Sequence, residues 1–265
     1  MKHAFVVLAA LLSLNATSQG QSLLPTVGQD PLPEEEEKAS QRHSVPQWVI
    51  ELSNMSESDR AAYLQAFQAA KVAYANNRMA VCESHLNTCE LYFTRNPNVW
   101  LLRSSVCIQR GQYDKAETYI RQAQQANIDS HVVLLNLSLL HMAQGDYEEA
   151  LENTDELLQT LAANAETFGT RRSLTYRKFL CLIMLERTEE AKELVADISP
   201  IDDSPLYYYC QAALFMLQGN PSAATRDLNT ADAIFARDGH LPGYKQNLSL
   251  CGLRERMRQK KSQGK

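Results

Sequence analysis

Gly111–Ala116 (GQYDKA) and Gly145–Ala150 (GDYEEA) are two copies of one short block, 34 residues apart, and this block decides the fold class. One period earlier, Asn77–Cys82 (NRMAVC) is a weaker copy in which Asn replaces Gly. That exchange is conservative because Asn, after Gly, is the residue that best tolerates a positive φ. Later in the chain, residues 188–191 (TEEA) and Gly219–Ala224 (GNPSAA) continue the series.

The segments between the blocks have helical periodicity. Apolar residues recur at three- and four-residue spacing from residue 56 onward, and Ser56 with Asp59 resembles a capping box. The sequence shows no strand-like alternation, and Gly and Pro stand at segment ends. From Ala150 to Ala191 the interval is 41 residues, which exceeds the period by seven, or about two helical turns. A longer helix or loop can absorb them, so the sequence predicts an all-α chain.

A 34-residue helix–turn–helix period with G-x-Y-x-x-A is similar to the tetratricopeptide repeat (TPR). The unit from Pro97 fits well, with Trp100, Ser104 and Ala123 at family positions. The resemblance implies a right-handed α-solenoid of about five TPR-like helix pairs plus a C-terminal capping helix. The expected units are 57–96, 97–130, 131–171, 172–204 and 205–237. Phe179 and Glu186 depart from the family pattern in the fourth unit, and a generic helical bundle is the alternative.

The two ends of the chain differ from the repeats. Residues 1–20 have the pattern of a signal peptide, with a positive start and the 11-residue apolar run Ala4–Leu14. Such a run spans about half a bilayer core as a helix, so an exported, periplasmic or secreted protein is expected; a buried first helix is the alternative. Residues 21–55 are interpreted as an acidic Pro/Ser/Gln tether with a possible short helix at 46–52. A capping helix and basic tail are expected at 238–265.

Composition narrows the classes of partner and of chemistry. The net charge of −5 gives no general attraction to nucleic acid, and no second apolar run reaches the length of a transmembrane segment. Cys82, His85 and Cys89 share a helix face, but three ligands without a fourth do not predict a metal site. The six cysteines are expected to be mostly free and buried, with disulfides as the alternative. No catalytic residues, metal or cofactor are predicted, and the chain is not expected to be an enzyme.

The function that the sequence favours is binding of a protein or peptide, of unknown identity, in an apolar concave groove. The expected groove lining is Leu101, Ile108, Leu135, Leu139, Met142, Tyr176, Leu180, Ile183, Met184, Tyr209 and Met216. The alternative is a small-molecule or glycan-binding envelope protein with a pocket of Tyr176, Tyr207, Tyr208 and Tyr209. The basic tail after residue 253 either stabilises a helix end, or weakly contacts an anionic surface or the chain's own acidic run Glu34–Glu37.

Overall fold

The structure, a computed structural model, describes residues 45–202 and 204–263 of the chain. Within these ranges the regular structure is entirely α-helical, which confirms the predicted fold class. The expected signal peptide at 1–20 and residues 21–44 of the expected tether lie outside the described residues. The helices are α1 Gln47–Ser53, α2 Glu57–Ala75, α3 Met79–Tyr92, α4 Pro97–Gln109, α5 Tyr113–Gln125, α6 Ser130–Gln144, α7 Tyr147–Thr160, α8 Phe168–Met184, α9 Thr188–Leu194, α10 Leu206–Leu217, α11 Pro221–Ile234, α12 Leu241–Leu250 and α13 Leu253–Gln263.

Short polar residues begin several of these helices. Ser56 Oγ accepts a hydrogen bond from the Asp59 amide at 3.1 Å at the start of α2. Asn96 Oδ1 accepts from the Asn98 amide at 2.9 Å, and Pro97 occupies the first turn of α4, where no amide hydrogen is needed. Asn220 caps α11 in the same way. Each cap satisfies an amide that the helix itself leaves unpaired.

One turn geometry joins the two helices of each of the first five pairs. A residue with positive φ follows the first helix at Asn77, Gly111, Gly145, Glu186, Gly219 and Gly252. At Gly111 the amide donates to the Ile108 carbonyl at 3.0 Å and the next amide donates to the Cys107 carbonyl at 2.9 Å. This pair of hydrogen bonds is the Schellman motif, which closes a helix end by satisfying its last carbonyls. Glu186, the departure noted in the sequence, adopts φ 64° and makes the same turn.

A fully buried small residue lies five positions after each of the first five turns. These residues are Cys82, Ala116, Ala150, Ala191 and Ala224, and each is at most 1% exposed. Small side chains at this point let the second helix of a pair approach the first closely. In the sixth pair the position belongs to Met257, which is only partly buried.

The pairs α2–α3, α4–α5, α6–α7 and α10–α11 pack most closely, and successive pairs stack to form the α-solenoid. Two apolar clusters fill the interior, and α4 contributes to both. The fourth pair is irregular because α9 has only 7 residues and its partner α8 has 17. The loop 161–167 and the long α8, which begins at Phe168 rather than near 172, absorb the seven extra residues.

The C-terminal region differs from the expected single capping helix. Residues 241–263 form two helices, α12 and α13, with the turn at Gly252 between them. Gly252 shares the positive φ of the earlier turn residues, but α13 begins at the very next residue. However, α12 packs against α6 and α8, not against the preceding pair alone.

Candidate binding site on the inner face

Helix α12 lies across the inner face of the solenoid, which is the face formed by the first helices of the pairs. It packs on α6 and α8, its Tyr244 ring contacts Tyr209 of α10, and its Gln246 Nε2 donates to Tyr74 Oη of α2. Helices α2, α6, α8 and α10 are each the first helix of a different pair. One helix can contact all four only if it crosses the side of the solenoid that they share. The inner face therefore receives a helix of the chain itself.

Three tyrosine rings fix α12 in this position. Tyr244 lies with its ring centroid 5.3 Å from those of Tyr176 and Tyr209, which are themselves 5.5 Å apart. All three rings are at most 1% exposed. Burial raises the pKa of all three phenols above the usual value, so they stay neutral. The cluster is an apolar joint between α8, α10 and α12.

The start of α12 depends on a glycine in α8. Gly169 has no side chain, and a Cβ added there would lie 1.9 Å from His240 Nε2. The imidazole thus occupies space that any other residue at position 169 would fill. Burial lowers the pKa of His240, with Asp238 acting in the opposite direction. A neutral histidine is therefore favoured at this contact.

Arg177 joins three helices through neutral acceptors. Its Nη1 donates to the Leu135 carbonyl at 3.0 Å and to Ser138 Oγ, both in α6, and its Nε donates to Asn247 Oδ1 of α12 at 3.2 Å. Burial lowers the pKa of this guanidinium to about 10, so it is charged at neutral pH. In the described part of the chain, no carboxylate forms an ion pair with Arg177. A buried cation without a counter-charge is unusual and costs stability.

A cleft of about 880 Å³ lies beside α12, between it and the turn from α2 to α3. Val72, which is 47% exposed, and Met79 supply apolar surface on one wall. The basic residues of the lining are Lys71, Arg237 and Lys245, against one acidic residue, Asp238. Lys71 Nζ lies 5.2 Å from the Phe67 ring centroid, and burial lowers the pKa of Lys71 to about 8. Lys71 is only 2% exposed and Lys245 pairs with Asp232 at 2.8 Å, so the cleft offers apolar contact beside one exposed basic side chain, Arg237.

The predicted groove lining is largely core. Of the eleven residues, eight are at most 5% exposed: Leu101, Ile108, Leu139, Met142, Tyr176, Leu180, Ile183 and Tyr209. Neighbouring helices cover them, and α12 covers the two tyrosines. The expectation that they form an open groove is therefore wrong for this arrangement, because the apolar stripe of each first helix also packs against other helices. Leu135, Met184 and Met216 are partly exposed.

The residues considered for other chemistry are placed as packing elements. All six cysteines are buried and free, as expected, and burial raises the pKa of Cys82 and Cys181 to about 12. Across residues 45–202 and 204–263, no three His, Cys, Asp or Glu residues come together as a metal site. The alternative tyrosine pocket is not open, since Tyr176 and Tyr209 face each other and Tyr244.

Comparison with known proteins agrees with the turn register. Residues 97–127, which contain α4, the turn at Gly111 and α5, match the family model of the tetratricopeptide repeat. This match covers one helix pair of the chain. A crystal structure of the P58(IPK) TPR domain is similar to this chain at 13% identity, over 88% of this chain and 71% of that chain, with a TM-score of 0.31. Among curated proteins none matches the sequence.

The described helices of this chain include none that is long and apolar enough to cross a membrane. In the basic tail, Arg256 Nη1 donates to the Met184 carbonyl at 2.7 Å, and its Nη2 pairs with Glu186. Arg256 therefore fixes α13 to the end of α8. Arg254 and Arg258 are exposed.

Proposed function

We propose that this chain is a non-enzymatic protein-binding scaffold of the cell envelope or the secreted space, and that the cleft beside α12 receives a segment of its partner. Helical repeats of this family serve broadly as scaffolds for protein contacts. The signal-peptide pattern of residues 1–20 supports export. One observation carries the proposal: the inner face already holds a helix, α12, so its shape suits a polypeptide segment.

The cleft suits the partner segment because it combines exposed apolar surface with basic groups. Its volume of about 880 Å³ falls in the range of ligand sites. Val72 is the most useful residue for a test because it is exposed and apolar and lies at the cleft wall. A partner segment with an apolar side chain next to an acidic group fits this lining, with Val72 and Arg237 as the contacts.

The test compares Val72→Arg with Leu64→Arg. Both residues are in α2 and are similarly exposed, at 47% and 50%, but Leu64 does not line the cleft. Each purified chain is used to capture proteins from an envelope extract, followed by mass spectrometry. We expect Val72→Arg to lose a protein that the wild-type and Leu64→Arg chains retain. If both variants capture the same proteins as wild type, the cleft is not the binding surface.

Contact of the basic tail with an anionic surface is a second, weaker proposal. It is supported by the exposed Arg254 and Arg258. Co-sedimentation with anionic vesicles at low and high salt tests it, because contact through surface charge weakens as salt rises. Salt-independent recovery, equal to that of a chain ending at Gly252, would contradict the proposal.

A further inference from the structure

The inner face is incompletely matched by α12, and the mismatch is electrostatic. Arg177 is 7% exposed and carries its charge into the interface. The group that α12 presents to it is the neutral amide of Asn247, at 3.2 Å. Asn247 is itself 1% exposed, and its Nδ2 lies 3.5 Å from the Ser173 carbonyl. A carboxylate at this place would supply both an acceptor and the missing counter-charge.

A second mismatch lies at the neighbouring residue of α8. Tyr176 is fully buried against α12, and its hydroxyl has no hydrogen-bond partner among the described residues. A buried hydroxyl that lacks a partner loses its hydration without replacement. The interface is thus closely packed through its rings but poorly matched in its polar groups.

We propose that α12 occupies the inner face in place of a partner helix, and that the partner helix carries an aromatic residue followed three positions later by an acidic residue. The spacing comes from Tyr244 and Asn247, which lie three residues apart on one face of α12. The aromatic ring enters between Tyr176 and Tyr209, and the acid pairs with Arg177. This inference rests on the proposed scaffold function and names the chemistry of its partner.

The route for exchange lies at the two ends of α12. Its first residues follow the loop 236–240, and its last residue precedes the turn at Gly252. At the start, the packing of His240 on Gly169 is a contact that one added methyl group would disturb. At the end, Tyr147 Oη donates to the Cys251 carbonyl at 2.9 Å. Release of α12 breaks these contacts and uncovers the Tyr176 and Tyr209 rings, which the partner helix must cover in turn.

The test uses two labelled peptides that span residues 238–252, with Cys251 replaced by Ser. One has the native Asn at position 247 and the other has Asp. Fluorescence anisotropy measures their binding to the full chain carrying Tyr244→Ala, which weakens the intrachain helix. The two peptides differ at one position only, and an acid in the last turn of a helix slightly disfavours the free helix, so tighter binding of the acidic peptide must come from its contacts in the complex. We expect the acidic peptide to bind at least tenfold more tightly, and Arg177→Met to remove the difference.

Equal binding of the two peptides, or no binding of either, would overturn the proposal. If Tyr244→Ala lowers the helical circular dichroism signal, Gly169→Ala replaces it, because it displaces His240 without removing a core ring. If Arg177→Met does not fold, the full-chain variant Asn247→Asp decides: a melting temperature above wild type supports the acid preference, and a lower one refutes it. A wild-type dimer that Tyr244→Ala abolishes would assign the helix to a second copy and also refute it. If Val72→Arg loses capture but neither peptide binds, the scaffold function is retained and only the replacement of α12 by a partner helix is rejected.

Discussion

Replacing Ala150 with Leu tests the five-residue spacing between each positive-φ turn residue and the buried small residue that follows it. Ala150 is 0% exposed and lies five residues after Gly145, in the core between α7 and its neighbours. Thr154, one turn further along α7, is also 0% exposed, so this side of the helix is closely packed. The larger side chain must therefore push α7 away from α6 or take a strained rotamer.

Overpacking of a well-packed core costs about 1–3 kcal/mol. In a chain of this size about 1 kcal/mol shifts the melting temperature by about 2–4 °C, so Ala150→Leu should lower it by about 2–12 °C. Thermal unfolding followed by circular dichroism at 222 nm measures this. Glu149→Leu is the matched control, because it adds the same side chain at the exposed neighbouring position and should change stability by less than about 0.5 kcal/mol. Equal melting temperatures for the two variants would show that the register is wrong.

Three further predictions concern the turns, the start of α12 and the thiols. Gly145→Ala should destabilise the chain by about 1–2 kcal/mol in urea unfolding, since φ is +93° there, whereas Gln144→Ala should have little effect. Because burial lowers the pKa of His240, the unfolded chain binds more protons than the folded one, so stability is full above the ordinary pKa of about 6.5 and falls as the pH drops below it. The melting temperature of His240→Gln should fall less than that of wild type between about pH 6.5 and 5; parallel curves would rule out this role. Burial raises the pKa of all six thiols. They should therefore react with a maleimide only after denaturation, and rapid labelling of any one thiol in the native chain would contradict its burial.

The turns could be predicted from the sequence because each is a local event. Gly111, Gly145 and Gly219 are recognisable in a few residues, and Asn77 is a conservative substitute. Glu186 resembled a break in the pattern, yet the helices on either side impose the same positive φ on it. The turn at Gly252 was missed because the residue five positions later is Met257, not a small residue. Its one signal was a position 33 residues after Gly219.

The binding face could not be predicted in the same way. Periodicity shows which side of a helix is apolar, but it does not show which helix will cover that side. Tyr176 and Tyr209 were expected in an open groove, and they are closed by Tyr244, which lies far along the sequence from Tyr176. Arg177 gave no signal at all. Its role depends on carbonyl and hydroxyl groups of α6 that only the folded chain brings within reach.

In the first five pairs the buried small residue always lies five positions after the turn residue, and this fixed spacing limits where the gene can gain or lose codons. One residue inserted between Gly145 and Ala150 would rotate the rest of α7 by about 100° and turn its apolar side toward water. Residues added to the loop 161–167 change no such angle, and this is where the fourth unit carries part of its extra length. Insertions and deletions among descendants of this chain should therefore occur between the buried small residue of one pair and the turn residue of the next pair, at intervals set by the repeat.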